Sequence, residues 1–310
     1  MDLPYSSGAT FLGAAPADGG AARFAVAGVP YDGAVTNRPG ARFGPAAIRA
    51  ASRMLCDAVH PLFECSPQAD LVDVGDLALP VTCLSDHRGA LQVAAAELMR
   101  AHHVCWLGGD HSITLALLRA QRQVQGRPLA IVHFDAHCDT WSDHFGEPSG
   151  HGTWMREAIE EELIVPPAAI QIGLRSPAAA EARQCVERAG GCIFTARQLR
   201  GLEGTQALAP IAGEIRRRVL AAGKPPAYLT LDIDCLDPAF APGTGTPEAG
   251  GLSTAQVLTL LEELHDIAWT GMDCVEVAPA YDHAEITSLA AASFVWTYLC
   301  GQLAKGATPA

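Results

Sequence analysis

The sequence predicts an α/β fold: a parallel sheet of about eight strands with helices on both faces. Three observations lead there. Short apolar runs alternate with helix-patterned segments along nearly the whole chain, the order expected of repeated strand–helix units. The runs are continuous rather than alternating, as in strands buried on both faces. Three of them end in His/Asp clusters, and open α/β sheets place their sites at the carboxyl ends of strands.

Taken in order, residues 1–22 are rich in Gly, Ala and Ser without periodicity, and are expected to form a loosely held arm. No long polar linker interrupts the remainder, so 23–310 is expected to be a single domain. Strands are predicted at 24–29, 71–74, 104–107, 130–134, 170–174, 192–195, 228–231 and 271–277. Apolar residues at three-and-four spacing predict helices at 87–101, 113–125, 178–189, 211–222, 255–264 and 286–302. Ser253 with Gln256 reads as a capping box at one helix start. Right-handed crossovers would bring every strand's carboxyl end to one edge, so distant parts of the chain can share a site.

Composition narrows the function. Hydrophobic residues at 49% against 18% charged supply a large core and too little charge for disorder. A net charge of -13 argues against nucleic acid or an anionic membrane as partner and favours a cationic small molecule. The ten cysteines contain no CxxC pair, and Cys105, Cys235 and Cys274 lie in or beside apolar strands. Free buried thiols in a reducing compartment are expected. With neither a leader nor a membrane span apparent, the expected location is cytoplasmic.

The clusters are Gly108-Gly109-Asp110-His111, Asp135-Ala136-His137-Cys138-Asp139 and Asp232-Ile233-Asp234. On an extended backbone the spacing of two would point Asp135, His137 and Asp139 to one side and Cys138 to the other, making Cys138 structural. A single DxHxD motif equally suits a hydrogen-bonded strand end. Six ligands, His111, Asp135, His137, Asp139, Asp232 and Asp234, from three strand ends point to metal. Unpaired buried aspartates cost several kcal/mol each, and cations are the natural compensation. Imidazole and carboxylate without thiolate suit two Mn(II) ions, with Ni(II), Co(II), Fe(II) and Zn(II) as alternatives. Two such ions would share a water and lower its pKa from about 15.7 toward neutrality, holding a bridging hydroxide against the substrate.

Five segments, RPGARFGPAAIR (38–49), GGDHS (108–112), VHFDAHCDT (132–140), LTLDIDCLDPAFAPGTGTPEAGGL (229–252) and MDCVEVAPAYDHAEITSLAAA (272–292), resemble the ureohydrolase family of arginases and agmatinases, in its agmatinase-like branch. The resemblance implies a three-layer α/β/α fold, a trimer or hexamer, and hydrolysis of a guanidino C–N bond to urea and an amine. It implies one ion on His111, Asp135, Asp139 and Asp232 and a second on Asp135, His137, Asp232 and Asp234. Asp139 would orient the hydroxide, Glu276 bind the guanidinium, and His151 deliver a proton to the leaving amine. His133 is expected to be structural, supporting a ligand.

Substrate choice is expected to lie in the loop 140–154, which departs from the family at Gly150 and Trp154. Trp141 and Trp154 are candidates to shorten the cavity, which would favour guanidine, an alkylguanidine or a biguanide over agmatine. The loop holds Asp143 and Glu147 but no Lys or Arg. Guanidino acids such as guanidinobutyrate are therefore disfavoured unless Arg38, Arg42 or Arg175 reaches in. Two further readings are a single-metal deacetylase, disfavoured because His111 and Asp139 fill the second ion's positions, and a structural subunit of a mixed oligomer.

Overall fold

A computed structural model describes residues 9–16 and 22–306. Nine strands form one sheet: β1 (Ala15–Pro16), β2 (Phe24–Val29), β3 (Leu71–Asp76), β4 (His103–Gly108), β5 (Leu129–Phe134), β6 (Ile164–Leu174), β7 (Cys192–Thr195), β8 (Ala227–Asp232) and β9 (Trp269–Val275). Their order is β1-β3-β2-β4-β9-β8-β5-β6-β7, and every pairing is parallel. All eight expected strands are present; the ninth, β1, comes from the stretch read as an arm.

The centre of the sheet positions the site. Leu107 pairs with Cys274, Cys274 with Leu231, and Leu231 with Phe134, so β4, β9, β8 and β5 end on one line. Asp232 and Asp135 follow Leu231 and Phe134 directly, and Glu276 and His111 lie within four residues of their paired positions. Along β4, Cys105 and Leu107 pack into one core and Val104 and Trp106 into the other, the two-residue alternation of a strand covered on both faces. Gly44–Ser52, Gly204–Ala221, Thr254–Glu263 and Ile286–Gly306 cover the first face, and Leu84–Ala101, Ile113–Gln125 and Trp154–Glu160 the second. The architecture is the three-layer α/β/α expected.

The arm needs correction. Phe11 is fully buried and its N–H donates to Asp73 at 2.7 Å, while Leu12 N–H donates to Ser52 Oγ at 2.8 Å. Two apolar residues suffice to anchor 9–16, a signal hidden by the Gly/Ala-rich surroundings. The rest of the expected arm, 1–8 and 17–21, lies outside the described residues.

Helix boundaries differ where local rules compete. The segment 178–189 is two short turns, Ala180–Arg183 and Cys185–Arg188, and Gly204–Ala221 starts earlier than expected with Pro210 inside it. Gly44–Ser52 and Trp154–Glu160 were not anticipated. Ser253 Oγ accepts the Gln256 N–H and Gln256 Oε1 accepts the Ser253 N–H, completing the capping box. Ile286–Gly306 contains a stretch long and apolar enough to cross a membrane, but most of that stretch is buried inside the fold. All ten cysteines are free thiols.

Candidate metal centre

The chain turn after β4 depends on Gly109, where a Cβ would stand 1.7 Å from the Tyr31 carbonyl oxygen. That close approach lets Asp110 N–H donate to Tyr31 at 2.7 Å and delivers His111 to the sheet edge. His111 Nε2 lies 2.8 Å from Thr230 Oγ1, which donates its own proton to Asp273 at 2.5 Å. His111 is therefore the donor to Thr230, and its Nδ1 lone pair faces inward. That is how a metal-ligating imidazole is held. Nδ1 stands 3.2, 3.1 and 3.1 Å from Oδ2 of Asp135, Asp139 and Asp232.

The aspartates do not converge through strand alternation. β5 ends at Phe134, so Asp135, His137 and Asp139 lie on an irregular bend, and Asp234 sits in the short turn Ile233–Cys235. The extended-backbone expectation is thus wrong in its mechanism. Main-chain donors set the geometry instead: His137 N–H to Asp135 Oδ1 at 2.6 Å, Asp234 N–H to Asp232 Oδ1 at 2.9 Å, and Ala136 N–H to Asp234 Oδ1 at 3.1 Å. Asp139 adopts φ +52°, a left-handed conformation rare outside glycine. Cys138 turns away into a small cluster with Leu174 and Ala182, as expected of a structural thiol.

Two ligand groups result. His111, His133, Asp135 and Asp139 have ligand atoms within 4.8 Å of one another, as do Asp135, His137 and Asp234, so Asp135 belongs to both. Asp232 joins through its contact with His111, and His137 Nδ1 lies 3.0 Å from Asp234 Oδ2. His133 Nδ1 is within 3.1 Å of the Gln171 amide nitrogen and its Nε2 donates to Asp135 at 2.7 Å, so it supports a ligand, as expected.

These residues fit a pair of divalent cations. Asp135, Asp139, Asp232 and Asp234 are all buried, and among the described residues no Lys or Arg side chain pairs with any of them. Burial, then the neighbouring Asp234 and Asp135 carboxylates, pushes Asp232 well above the usual carboxylate range. Burial alone would lower His111, yet Asp135, Asp139 and Asp232 hold it well above its ordinary value. The cluster is a concentration of negative charge that attracts whatever cation it can reach.

Beside it lies a second pair. His151 Nδ1 is 2.9 Å from Glu276 Oε1, and its Nε2 lies 2.9 Å from Thr36 Oγ1 and 3.1 Å from the Thr36 amide nitrogen. A backbone N–H only donates, so Nε2 accepts and Nδ1–H donates to Glu276. Burial lowers the His151 pKa, but Glu276 outweighs it and raises it to about 9. The Thr36 amide opposes that protonation, because its N–H already occupies the Nε2 lone pair. Glu276 Oε1 also accepts the His111 N–H at 2.9 Å, Oε2 is buried without a partner, and the residue has φ +64°. Asp110, behind them, is raised to about 6 by burial and then by Glu276.

A cavity of about 320 Å3 opens onto the cluster, walled by His111, His137, Asp139, Asp232, His151 and Trp141. Trp154 is not in its wall. It is fully buried beneath the ligands, so its expected role as a substrate-contacting residue is corrected. The reason is local: Trp154 opens a helix whose first turn points inward. Glu276 lies behind His151 rather than at the wall. None of the three arginines considered reaches the cavity. Arg175 is spent on the carbonyls of Gly173, Asp234, Cys235, Leu236 and Glu248, Arg42 pairs with Asp32, and Arg38 lies over the Tyr281 ring.

Sequence reasoning missed Thr36, Ser176, Thr246 and His144, which also line the cavity. His144 was overlooked although it shares a short loop with Trp141 and Asp143. Its ring stands 5.3 Å from that of His151, and its Nε2 is buried without a partner. Nothing local marks the small hydroxyl residues, which arrive from three separate loops.

The Arginase family profile matches residues 22–301. The chain is 40% identical over 287 residues to an agmatinase of Chromobacterium violaceum, covering 89% of this chain and 82% of that one. A hypothetical agmatinase from Burkholderia thailandensis superposes with a TM-score of 0.85 at 39% identity, over 97% and 93% of the two chains. The proclavaminate amidino hydrolase of Streptomyces clavuligerus gives 0.87 at 36% identity, over 98% of this chain and 100% of that one. With six His and Asp side chains converging at the strand ends and these relatives matching nearly end to end, the chain belongs to the arginase family as a metal-dependent ureohydrolase of guanidino C–N bonds.

Proposed function

We propose that the chain hydrolyses agmatine, or a cationic guanidine of similar reach, to urea and an amine. The observation that carries this reading is the cavity over the carboxylate cluster, which Asp139 and Asp232 line beside His151. A wall of carboxylate oxygens suits a planar cation such as a guanidinium. The cavity lining adds acidic Asp143 and no Lys or Arg, favouring a cationic tail over a carboxylate one. The curated relative named above carries the name agmatinase, which agrees with that choice.

Two ions would be held by His111, Asp135, Asp139 and Asp232 and by Asp135, His137, Asp232 and Asp234. When bound, such ions supply Lewis acidity and acidify a shared water. The protein's own groups do the rest. Glu276 fixes the His151 ring through Nδ1, and Asp139 accepts a hydrogen bond from the attacking water. As water adds to the guanidinium carbon, the bond to the alkyl nitrogen breaks, and the proton the water gives up passes through His151 to the departing amine. Thr36 holds the His151 ring at the cavity wall through Nε2.

The test is urea release from agmatine, 4-guanidinobutyrate, 3-guanidinopropionate, arginine, guanidine, methylguanidine and a biguanide, with Mn(II), Co(II) or Ni(II) reconstituted in parallel. Agmatine is expected to lead and the guanidino acids to trail. Turnover confined to guanidine or a biguanide would replace agmatine with a short substrate, and silence across the panel with two ions bound would overturn the reading.

A further inference from the structure

The four buried aspartates are not held equally. Asp135 accepts from His133 and from the His137 amide, Asp232 from the Asp234 amide, and Asp234 from the Ala136 amide and Thr246. Asp139, at φ +52°, receives no such main-chain donor. Apart from the His111 contact, its carboxylate has one hydrogen-bond donor among the described residues, the Trp154 indole N–H, at 2.6 Å to Oδ2. The same oxygen lies 3.1 Å from His111 Nδ1. The indole ring is fully buried, tilted against His111 with centroids 4.8 Å apart and edge-on to His133 at 4.9 Å. Trp154 therefore touches the ring that offers one ligand atom and fixes the carboxylate that offers another.

We propose that Trp154 is a positioning residue for the metal centre: its indole N–H holds Asp139 in the orientation that completes the ion site shared with His111. The inference rests on the metal-dependent reading of the cluster, and binding of two Mn(II) by the native chain tests that reading separately. Supporting groups around metal ligands commonly contribute tenfold to a hundredfold in affinity. Trp154→Phe keeps a ring against His111 and removes the N–H alone.

The experiment is calorimetric titration of the apoprotein with Mn(II), for native protein, Trp154→Phe, Asp139→Ala and the double variant. Trp154→Phe is expected to weaken one of the two binding steps by about tenfold or more and to leave the other within about twofold of native, the scatter expected where no interaction couples the sites. In the Asp139→Ala background it should add nothing. Native affinity in Trp154→Phe, or an equal loss with and without Asp139, would overturn the proposal and leave Trp154 as packing. A second measurement compares native protein with Asp139→Ala by ultraviolet resonance Raman: Trp269 and Trp296 donate to Leu264 and Ala58 in both, so the difference spectrum should show one hydrogen-bonded indole N–H, that of Trp154, lost in the variant. A difference spectrum without that loss would equally overturn the assignment.

Discussion

Two clusters of buried charge sit on the same sheet and are built by opposite rules. At β3, Arg49 is buried between Asp73 and Asp76: its Nε and Nη2 donate to Asp73 at 2.8 and 2.9 Å, and its Nη1 pairs with Asp76. At the ends of β5 and β8, four aspartates gather around two histidines, and among the described residues no guanidinium or ammonium answers them. The first cluster carries its counter-ion in the sequence; the second leaves that position to something from outside. A network that contains its own cation ties the chain together, anchoring Phe11 through Asp73, whereas one without is a binding site.

That contrast can be broken from either side. The largest effect is expected from Asp135→Ala, which removes the carboxylate common to both ligand groups. Bound metal should fall below two ions per chain and urea release below about one ten-thousandth of native, on the scale of losing a unit of a catalytic assembly, as read by elemental analysis and kcat. His151→Ala comes next, with both ions retained and kcat reduced by about 10²–10⁴, the range of a lost general acid. Native turnover in that variant would remove His151 from the proton path.

Asp73→Ala tests the cluster built around Arg49. Arg49 would keep only Asp76 as a partner, costing about 3–5 kcal/mol of stability in a urea melt. The folded fraction should still bind two ions. If Asp73→Ala instead abolished metal binding in folded protein, the two clusters would be one coupled device and the distinction would fail.

The smallest effect concerns His103, where burial and then the charge of Arg23 lower the pKa to about 4 from an ordinary 6.5. The folded chain thus holds this proton less readily than the unfolded one. The stability associated with neutral His103 is full above pH 6.5 and is lost as the pH falls toward 4. His103→Gln should shrink the difference in urea midpoint between pH 7 and about 4.5 relative to native protein.

Much of this molecule is legible locally. The eight long strands are continuous apolar runs, and such runs need no partner to be recognised. The six ligand candidates stand directly at or just beyond the strand ends, because a parallel sheet with right-handed crossovers has nowhere else to put them. Less visible were elements whose signal is short or contradictory. Phe11 and Leu12 are an anchor of two residues, Pro210 lies within a helix it was expected to border, and Trp154 looks like a loop aromatic until a helix turns it inward.

What the sequence by itself determined was the order of strands and helices, the six-ligand set and the excess of negative charge, since each is a property of residue type and spacing. The tertiary structure alone decided how those ligands meet. Asp139 and Glu276 adopt left-handed backbone, Thr36 crosses from the β2 loop to His151, and Trp154 moves from the supposed pocket wall to the far side of Asp139. Each depends on a contact between segments remote in sequence or on a backbone angle that residue type does not encode, and only the packed chain specifies those.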